Sequence, residues 1–381
     1  MTLNRFIACC MFGVLLATFS CAPHPETPVV KPKSTPAAVE PIEKDAPPPE
    51  TKDALKDRLD AARNHVRQRE VLVRYGFWTV FHAILGMGPE RTFVKDADGK
   101  VTKAIDYICA GSDMPGLEFR PMGDAVEVVT RAGNGDYQGH QDQYIAEMAQ
   151  WGMPETYVFT IKGKKHTFKE FIQYSRDLAS VTGNQELSWA VLIIGQYYGT
   201  DYRWTNLQGE KLSLEDVVKY EISKPIGPMT ACGGTHRLFG LSWVYHLHRK
   251  SGGKKEGVWK DLVTYVDGYK QMARDNQNRH DGSFSTKFII EPDRNPNLDE
   301  RINTTGHVFE WLSLALPLEE LRAEWMEDAA NTLAKMILDS KDRGINAGGL
   351  YHATHGLEIY RTRRYGPVDE HGPMIPPVPK D

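Results

Sequence analysis

The sequence predicts an all-α chain whose helical hairpins close into a ring, an α/α toroid with small β-hairpin insertions. Three observations lead there. A short segment repeats: Gly163-Lys-Lys-His-Thr167-Phe168-Lys-Glu170-Phe171-Ile172 matches Gly209-Glu-Lys-Leu-Ser213-Leu214-Glu-Asp216-Val217-Val218 in its glycine, its capping residues and its apolar positions. Two kinds of helix alternate beyond it. One kind is apolar nearly all round, over 187–194, 238–247 and 308–316; the other carries a single apolar stripe, over 168–178, 214–222, 258–273 and 318–338. A helix apolar on every side must be buried on every side, whereas a striped helix faces water. Third, His140, Glu186, His236, His307 and His355 stand at the expected starts of the apolar helices. Nested inner and outer layers account for the alternation. An open solenoid of hairpins is the competing arrangement, but it gives no reason for one helix of each pair to be apolar all round.

The elements follow in order. Arg5 precedes an uncharged, mostly apolar run from Ile7 to Phe19, and Ser20-Cys21 closes it. The run is too short to span a bilayer. Residues 1–20 resemble a bacterial lipoprotein signal peptide, which implies lipidation at Cys21 and a membrane-anchored, extracytoplasmic protein of the cell envelope. An ordinary secretory signal is the alternative. Residues 21–53 form a Pro-rich linker with too few large apolar side chains to build a core. The globular domain is expected over 54–361, and a second Pro-rich tail over 362–381. Leu55, Leu59, Ala62 and Val66 mark an amphipathic first helix, and Phe77–Leu85 is apolar apart from Thr79 and His82. Turn chemistry at Asp96–Gly99 and alternation at 117–119 and 126–129 read as a β-hairpin insertion within 92–130. Thr167 and Ser213 are expected N-caps, with Glu170 and Asp216 completing capping boxes.

Composition excludes some partners. The net charge of −4 gives no basic surface for nucleic acid. No Gly-rich phosphate loop, His-Glu-x-x-His or Gly-x-Ser-x-Gly occurs. Cys9 and Cys10 fall in the signal, leaving Cys109 and Cys232; whether these two pair is left open.

Parallel inner helices would gather their N-termini at one mouth. That would bring together His140, His236, His307 and His355, with Asp142, Arg237 and Tyr351 near them as ligand-binding groups. Helix N-termini disfavour imidazolium, so neutral imidazoles are expected there. His307-Val-Phe-Glu310 and His355-Gly-Leu-Glu358 place each His and Glu on one helix face. Glu310 and Glu358 are therefore candidate catalytic carboxylates, together with His307 and His355, for glycan hydrolysis. A His–Tyr pair would serve a lyase instead. Cys232, His236 and His352 form a loose candidate zinc set. The bland alternatives are helix caps, carboxylates tied to backbone or Arg, and a buried inert thiol.

Two motifs then carry a resemblance. Gln277-Asn-Arg-His-Asp281-Gly-Ser-Phe284 resembles the Gln…Asp-Gly-Ser-aromatic turn of terpenoid cyclases. Tyr351-His352-Ala353-Thr354 is similar to the Tyr-His-Thr segment of protein prenyltransferase β-subunits, where the His binds zinc. Both families belong to the α/α-toroid superfamily, so the resemblance implies that fold over roughly 54–361. It does not extend to the known chemistries. There is no Asp-x-Asp-Asp; Thr230-Ala231-Cys232 lacks the Asp of the prenyltransferase Asp-x-Cys; and Ala231-Cys232-Gly233-Gly234-Thr235 lacks the Gln of a thioester. The expectation is thus a lipoprotein-type toroid that binds or processes a small-molecule, glycan or protein ligand at a His-lined mouth. A non-catalytic scaffold is the alternative.

Overall fold

Thirteen α-helices and four small β-sheets make up residues 52–379, which, apart from Ala132 and Asp342, are the residues described by the structure, a computed structural model. The expected signal peptide, the expected lipidation position Cys21 and nearly all of the expected linker lie outside them. The protein is mainly helical, and the described residues cluster as one unit. No helix among the described residues is long and apolar enough to cross a membrane.

Six helices form an inner set: α2 (Gly76–Met87), α4 (Gln143–Gln150), α6 (Ser188–Tyr198), α8 (Thr235–Lys250), α10 (Leu298–Ala315) and α13 (Ala347–Tyr365). Each packs against the next, and α13 packs back against α2. Burial follows sequence character: every residue of α4, every residue of α13 from Gly348 to Arg361, and most of α2 and α8 are buried. The remaining helices pack outside them. α1 (Lys52–Arg67) lies on α13 and α12 (Glu324–Asp339), α5 (Phe168–Leu178) on α6, α7 (Leu214–Ile222) on α6 and α9 (Val258–Asp275), and α9 on α8. These show the single stripe expected of a face turned to water: Leu55, Leu59, Ala62 and Val66 are buried on α1.

Close approach between α10 and α13 depends on glycine. A Cβ at Gly306 would lie 2.6 Å from the Ala353 Cβ, and one at Gly356 would lie 2.9 Å from the Glu310 Cα. These pairs, with Gly349 against Asn303, advance together along both helices. α10 and α13 therefore run parallel. Ser188 against Gly240 and Gly195 against Val244 give the same sense to α6 and α8.

The repeated segment has a structural meaning that extends beyond a helix start. Gly163 and Gly209 sit at positive φ at the tips of hairpins, β6 (Val158–Ile161) with β7 (Lys164–Thr167) and β8 (Arg203–Thr205) with β9 (Lys211–Ser213). Each hairpin hands the chain to a capping box, Thr167 with Glu170 and Ser213 with Asp216. No such hairpin precedes α9, which starts from Gly257 without a side-chain cap. The stretch 318–338 is two helices, α11 (Leu318–Leu321) and α12, because the chain breaks at Arg322–Ala323. The 92–130 region is richer than one hairpin. It holds β2 (Phe93–Lys95), paired with β3 (Val101–Lys103) and with β1 (Val71–Leu72) from before α2, the helix α3 (Ala104–Cys109), and β4 (Phe119–Met122) paired with β5 (Ala125–Val128). Helix α13 runs on to Tyr365, past the expected domain end.

The Gln277–Phe284 turn is a clasp between α9 and α12. Gln277 Nε2 donates to the Gly282 carbonyl at 2.7 Å and to the Trp325 carbonyl at 2.8 Å. Asp281 accepts from the Ser283 hydroxyl at 2.7 Å and from the Arg294 guanidinium at 2.9 Å. A Cβ at Gly282 would meet the Asp328 side chain at 2.6 Å. These contacts are structural and lie on the outer layer.

Candidate metal centre

The loop before α8 is shaped to deliver Cys232. Cys232, Gly233 and Gly234 all adopt left-handed backbone, with φ of 48°, 60° and 79°. A non-glycine residue is held there only when its surroundings over-determine it. A Cβ at Gly233 would overlap Phe288 and one at Gly234 would overlap Ile226. Two glycines after Cys232 therefore let the chain press inward and begin α8 at once. That puts His236 in the first turn, next to the thiol.

His140, Cys232 and His236 bring one donor atom each to within 4.8 Å of one another; so do His236, His307 and His352. The rings confirm the crowding: His236 lies 4.8 Å from His140, 5.4 Å from His307 and 5.2 Å from His352, centroid to centroid. His307 and His352 are 4.1 Å apart. All but His140 and Cys232 are buried.

The hydrogen bonds fix which nitrogen each ring presents. His307 Nδ1 donates to the Asn303 carbonyl at 2.8 Å. His140 Nδ1 donates to Glu186 at 2.8 Å, and His352 Nδ1 to Glu310 at 2.7 Å. Each of these rings thus turns Nε2 into the cluster, and the carbonyl or carboxylate behind it sets the tautomer. His236 has no partner at either nitrogen, and His352 none at Nε2. Leaving a buried polar atom unpaired costs about 1–3 kcal/mol.

Electrostatics favour deprotonated donors at Cys232, His236 and His352. Burial holds His236 well below the usual imidazole range, with the neighbouring histidines adding to it, and takes His352 down to about 3. Cys232 is drawn down to about 6: burial opposes the thiolate, but the charges and hydrogen bonds of His307 and His140 outweigh it. His140 is the complementary cation, raised to about 10 because Cys232 and Glu186 overcome its burial. Cys109 is different. It is buried near Asp106, and its thiol is pushed far up. Both cysteines are free, so the two do not pair.

Two surface cavities flank the Cys232 loop. One, of about 440 Å³, is lined by Cys232, Gly233, Lys287, Phe288 and Asn303 among others. The other, of about 230 Å³, reaches Glu186 and Arg237. The first opens beside Cys232.

Several expected site residues lie elsewhere. His307 and His355 do not begin helices. Asn297 caps α10 and Asn346 caps α13, so both histidines sit in helix interiors. His355 lies beyond the cluster, bonded through Nδ1 to Glu310 at 2.6 Å and 5.9 Å from the Trp151 ring. His352, one turn earlier on α13, takes its expected place. Glu310 and Glu358 do not face each other across a cleft. Glu310 is held by His352 and His355, while Glu358 accepts from Arg63 Nε at 2.6 Å and from Arg67 at 3.3 Å. Tyr351 packs against Gly86 of α2. Arg237 is tied to Glu221 at 3.0 Å and to the Lys224 carbonyl. Asp142, buried and raised to about 6 by that burial, is bonded to Gln141 at 2.9 Å. None of these three presents a group to the cluster.

On α2 and α4, His82 and Glu147 join His352 in a third group of donors. Neither was singled out from the sequence. Yet each is the polar exception in an apolar stretch: His82 within Phe77–Leu85, and Glu147 within Tyr144–Ala149. Neither a family model, nor a curated protein, nor a solved structure matches the chain.

Proposed function

We propose that the protein is a metal-dependent α/α toroid whose inner ring holds a zinc-class ion between His140, Cys232, His236 and His307, and which binds or processes a ligand reaching that ion from the Cys232 cavity. The carrying observation is His236: a fully enclosed imidazole with both nitrogens unpaired, ringed by other donors. A thiolate with three imidazoles, of which His140 must give up its proton to bind, suits zinc, copper or cobalt rather than magnesium or calcium. The donors of His140, Cys232 and His236 stand within 4.8 Å of one another and would draw together onto zinc bonds of roughly 2.0–2.3 Å, with His307 joining from beside Cys232. The closed cycle of packing from α2 round to α13 supports the toroid, and the parallel runs of α6 with α8 and of α10 with α13 support a common orientation of the inner helices. The terpenoid cyclase and prenyltransferase resemblance is compatible with this reading and adds no activity to it.

The protein's own groups would perform defined tasks. Glu186 and the Asn303 carbonyl orient His140 and His307, and Glu310 orients His352. The cavity beside Cys232 admits the ligand, with Lys287 at its rim. A bound ion of this class supplies Lewis acidity. Paired carboxylate hydrolysis at Glu310 and Glu358 is not favoured, because His and Arg side chains occupy both groups.

Metal content tests the reading. Protein purified without a His tag is expected to carry zinc-class metal that Cys232→Ser and His236→Ala each reduce. In chelator-stripped protein, Cys232 should alkylate far faster than Cys109, with the rate rising as pH increases through about 6. Metal should suppress that alkylation. Stripped and loaded samples alkylating alike at Cys232 would rule out the centre.

The cell-envelope location belongs to the same proposal and rests on the pattern around Cys21. Cys21→Ala is expected to move the protein from the membrane fraction to the soluble one; unchanged fractionation would remove the anchor.

A further inference from the structure

We propose that His82, Glu147 and His352 form a second, inner metal site of nitrogen and oxygen donors, so that the ring holds two ions. The proposal rests on the reading that the ring interior binds metal, but on different residues. Three donor atoms, one from each residue, lie within 4.8 Å of one another, and all three side chains are buried. They come from α2, α4 and α13, whereas the outer donors come from the Cys232 loop, α8, α10 and the segment before α4.

Both imidazoles present Nε2. His82 Nδ1 donates to the Trp78 carbonyl at 2.7 Å, as His352 Nδ1 does to Glu310. A carbonyl or carboxylate behind each ring is the usual support of a metal-bound histidine. Glu147 is wholly enclosed, and its Oε2 has no partner; nor has His352 Nε2. Two buried acceptors thus lack donors within a group whose ligand atoms lie within 4.8 Å of one another, and an ion held among them would satisfy both. Gln143 satisfies only the other side of the group. Its amide donates to His82 Nε2 at 3.1 Å and to Glu147 Oε1 at 3.0 Å. An ion would replace that amide at His82. Two imidazoles and one carboxylate accept divalent zinc, iron or manganese, and the inner site lacks the thiolate that makes the outer one selective for softer ions.

The competing occupant is a proton on Glu147 Oε2, donated to His352 Nε2. Glu147→Gln separates the two, because the new amide donates as a protonated carboxyl does but is a poor metal ligand. The full chain, purified without a His tag, is stripped and reloaded with Co(II), and metal is counted by mass spectrometry. Wild type is expected to hold two equivalents. Glu147→Gln and His82→Gln should each hold one and keep the thiolate-to-cobalt absorption of the outer centre; Cys232→Ser should hold one and lose that absorption. Should Glu147→Gln fail to fold, His82→Gln carries the same test. One equivalent in wild type, lost with Cys232 and kept in both inner variants, would overturn the inner site alone. No metal in wild type would overturn both readings.

Discussion

Replacing Arg63 by Ala is expected to destabilise the fold by about 3–5 kcal/mol, the range for a buried charge left without its partner. Arg63 and Glu358 are each about 1% exposed. Arg63 donates through Nε to Glu358 Oε2 at 2.6 Å, a second guanidinium nitrogen also reaches that oxygen, and Nη1 donates to Asp60 at 2.7 Å. The pair joins outer helix α1 to inner helix α13. After truncation, the Glu358 carboxylate would keep Arg67, at 3.3 Å, as its charged partner. Replacing both partners by apolar groups, Arg63→Met with Glu358→Leu, should be far less damaging, because it removes the charge along with its counter-charge. Denaturant unfolding of the two single variants and the double variant gives the coupling energy. If Arg63→Ala lost less than about 1 kcal/mol, comparable to an exposed pair, the buried clamp would be wrong.

That clamp also shows where sequence reading stops. The helical class could be read because it depends on periodicity, which is local: all-round apolarity at 238–247 and the stripe on α1 each declare the faces to be buried. The capping boxes at Thr167 and Ser213 were legible for the same reason. Which partner each polar residue meets depends on register between helices distant in sequence. Glu358 shares the His-x-x-Glu spacing of Glu310, and spacing alone made them look equivalent. The difference comes from where α10 and α13 begin. Asn297 and Asn346 cap them well before the histidines. The resulting register puts Gly356 beside Glu310 and carries His352, rather than His355, to His307. The hairpins tipped by Gly163 and Gly209 were hidden because strands of three or four residues are too short to establish a period of two.

His82 and Glu147 were missed for a related reason. A single polar residue in an apolar run has no pattern of its own; only the closure of α13 onto α2, and of α4 beside it, gives the pair a third partner. The six inner helices thus bury polar groups that do not satisfy one another. His236, His352, His355 and Glu147 all retain unpaired atoms. A core selected for stability alone would carry leucine at such places.

His236→Leu should therefore stabilise the metal-free protein and destabilise the metal-loaded protein relative to wild type. Without metal, the substitution removes two buried nitrogens that have no partner and keeps most of the volume packed against Trp189, whose ring lies 4.7 Å away. Removing even one such group is worth about 1–3 kcal/mol. With metal, the order reverses. An ion present at a hundred times its dissociation constant contributes about 2.7 kcal/mol to the state that binds it, and a variant without His236 forfeits much of that. Thermal unfolding of both proteins, stripped and loaded, gives four transition temperatures. The expected pattern is a variant above wild type when stripped and below it when loaded. His236 as an ordinary packing residue predicts the variant below wild type in both conditions by the same amount. That result would leave the unpaired imidazole without a ligand and remove the outer centre's strongest support.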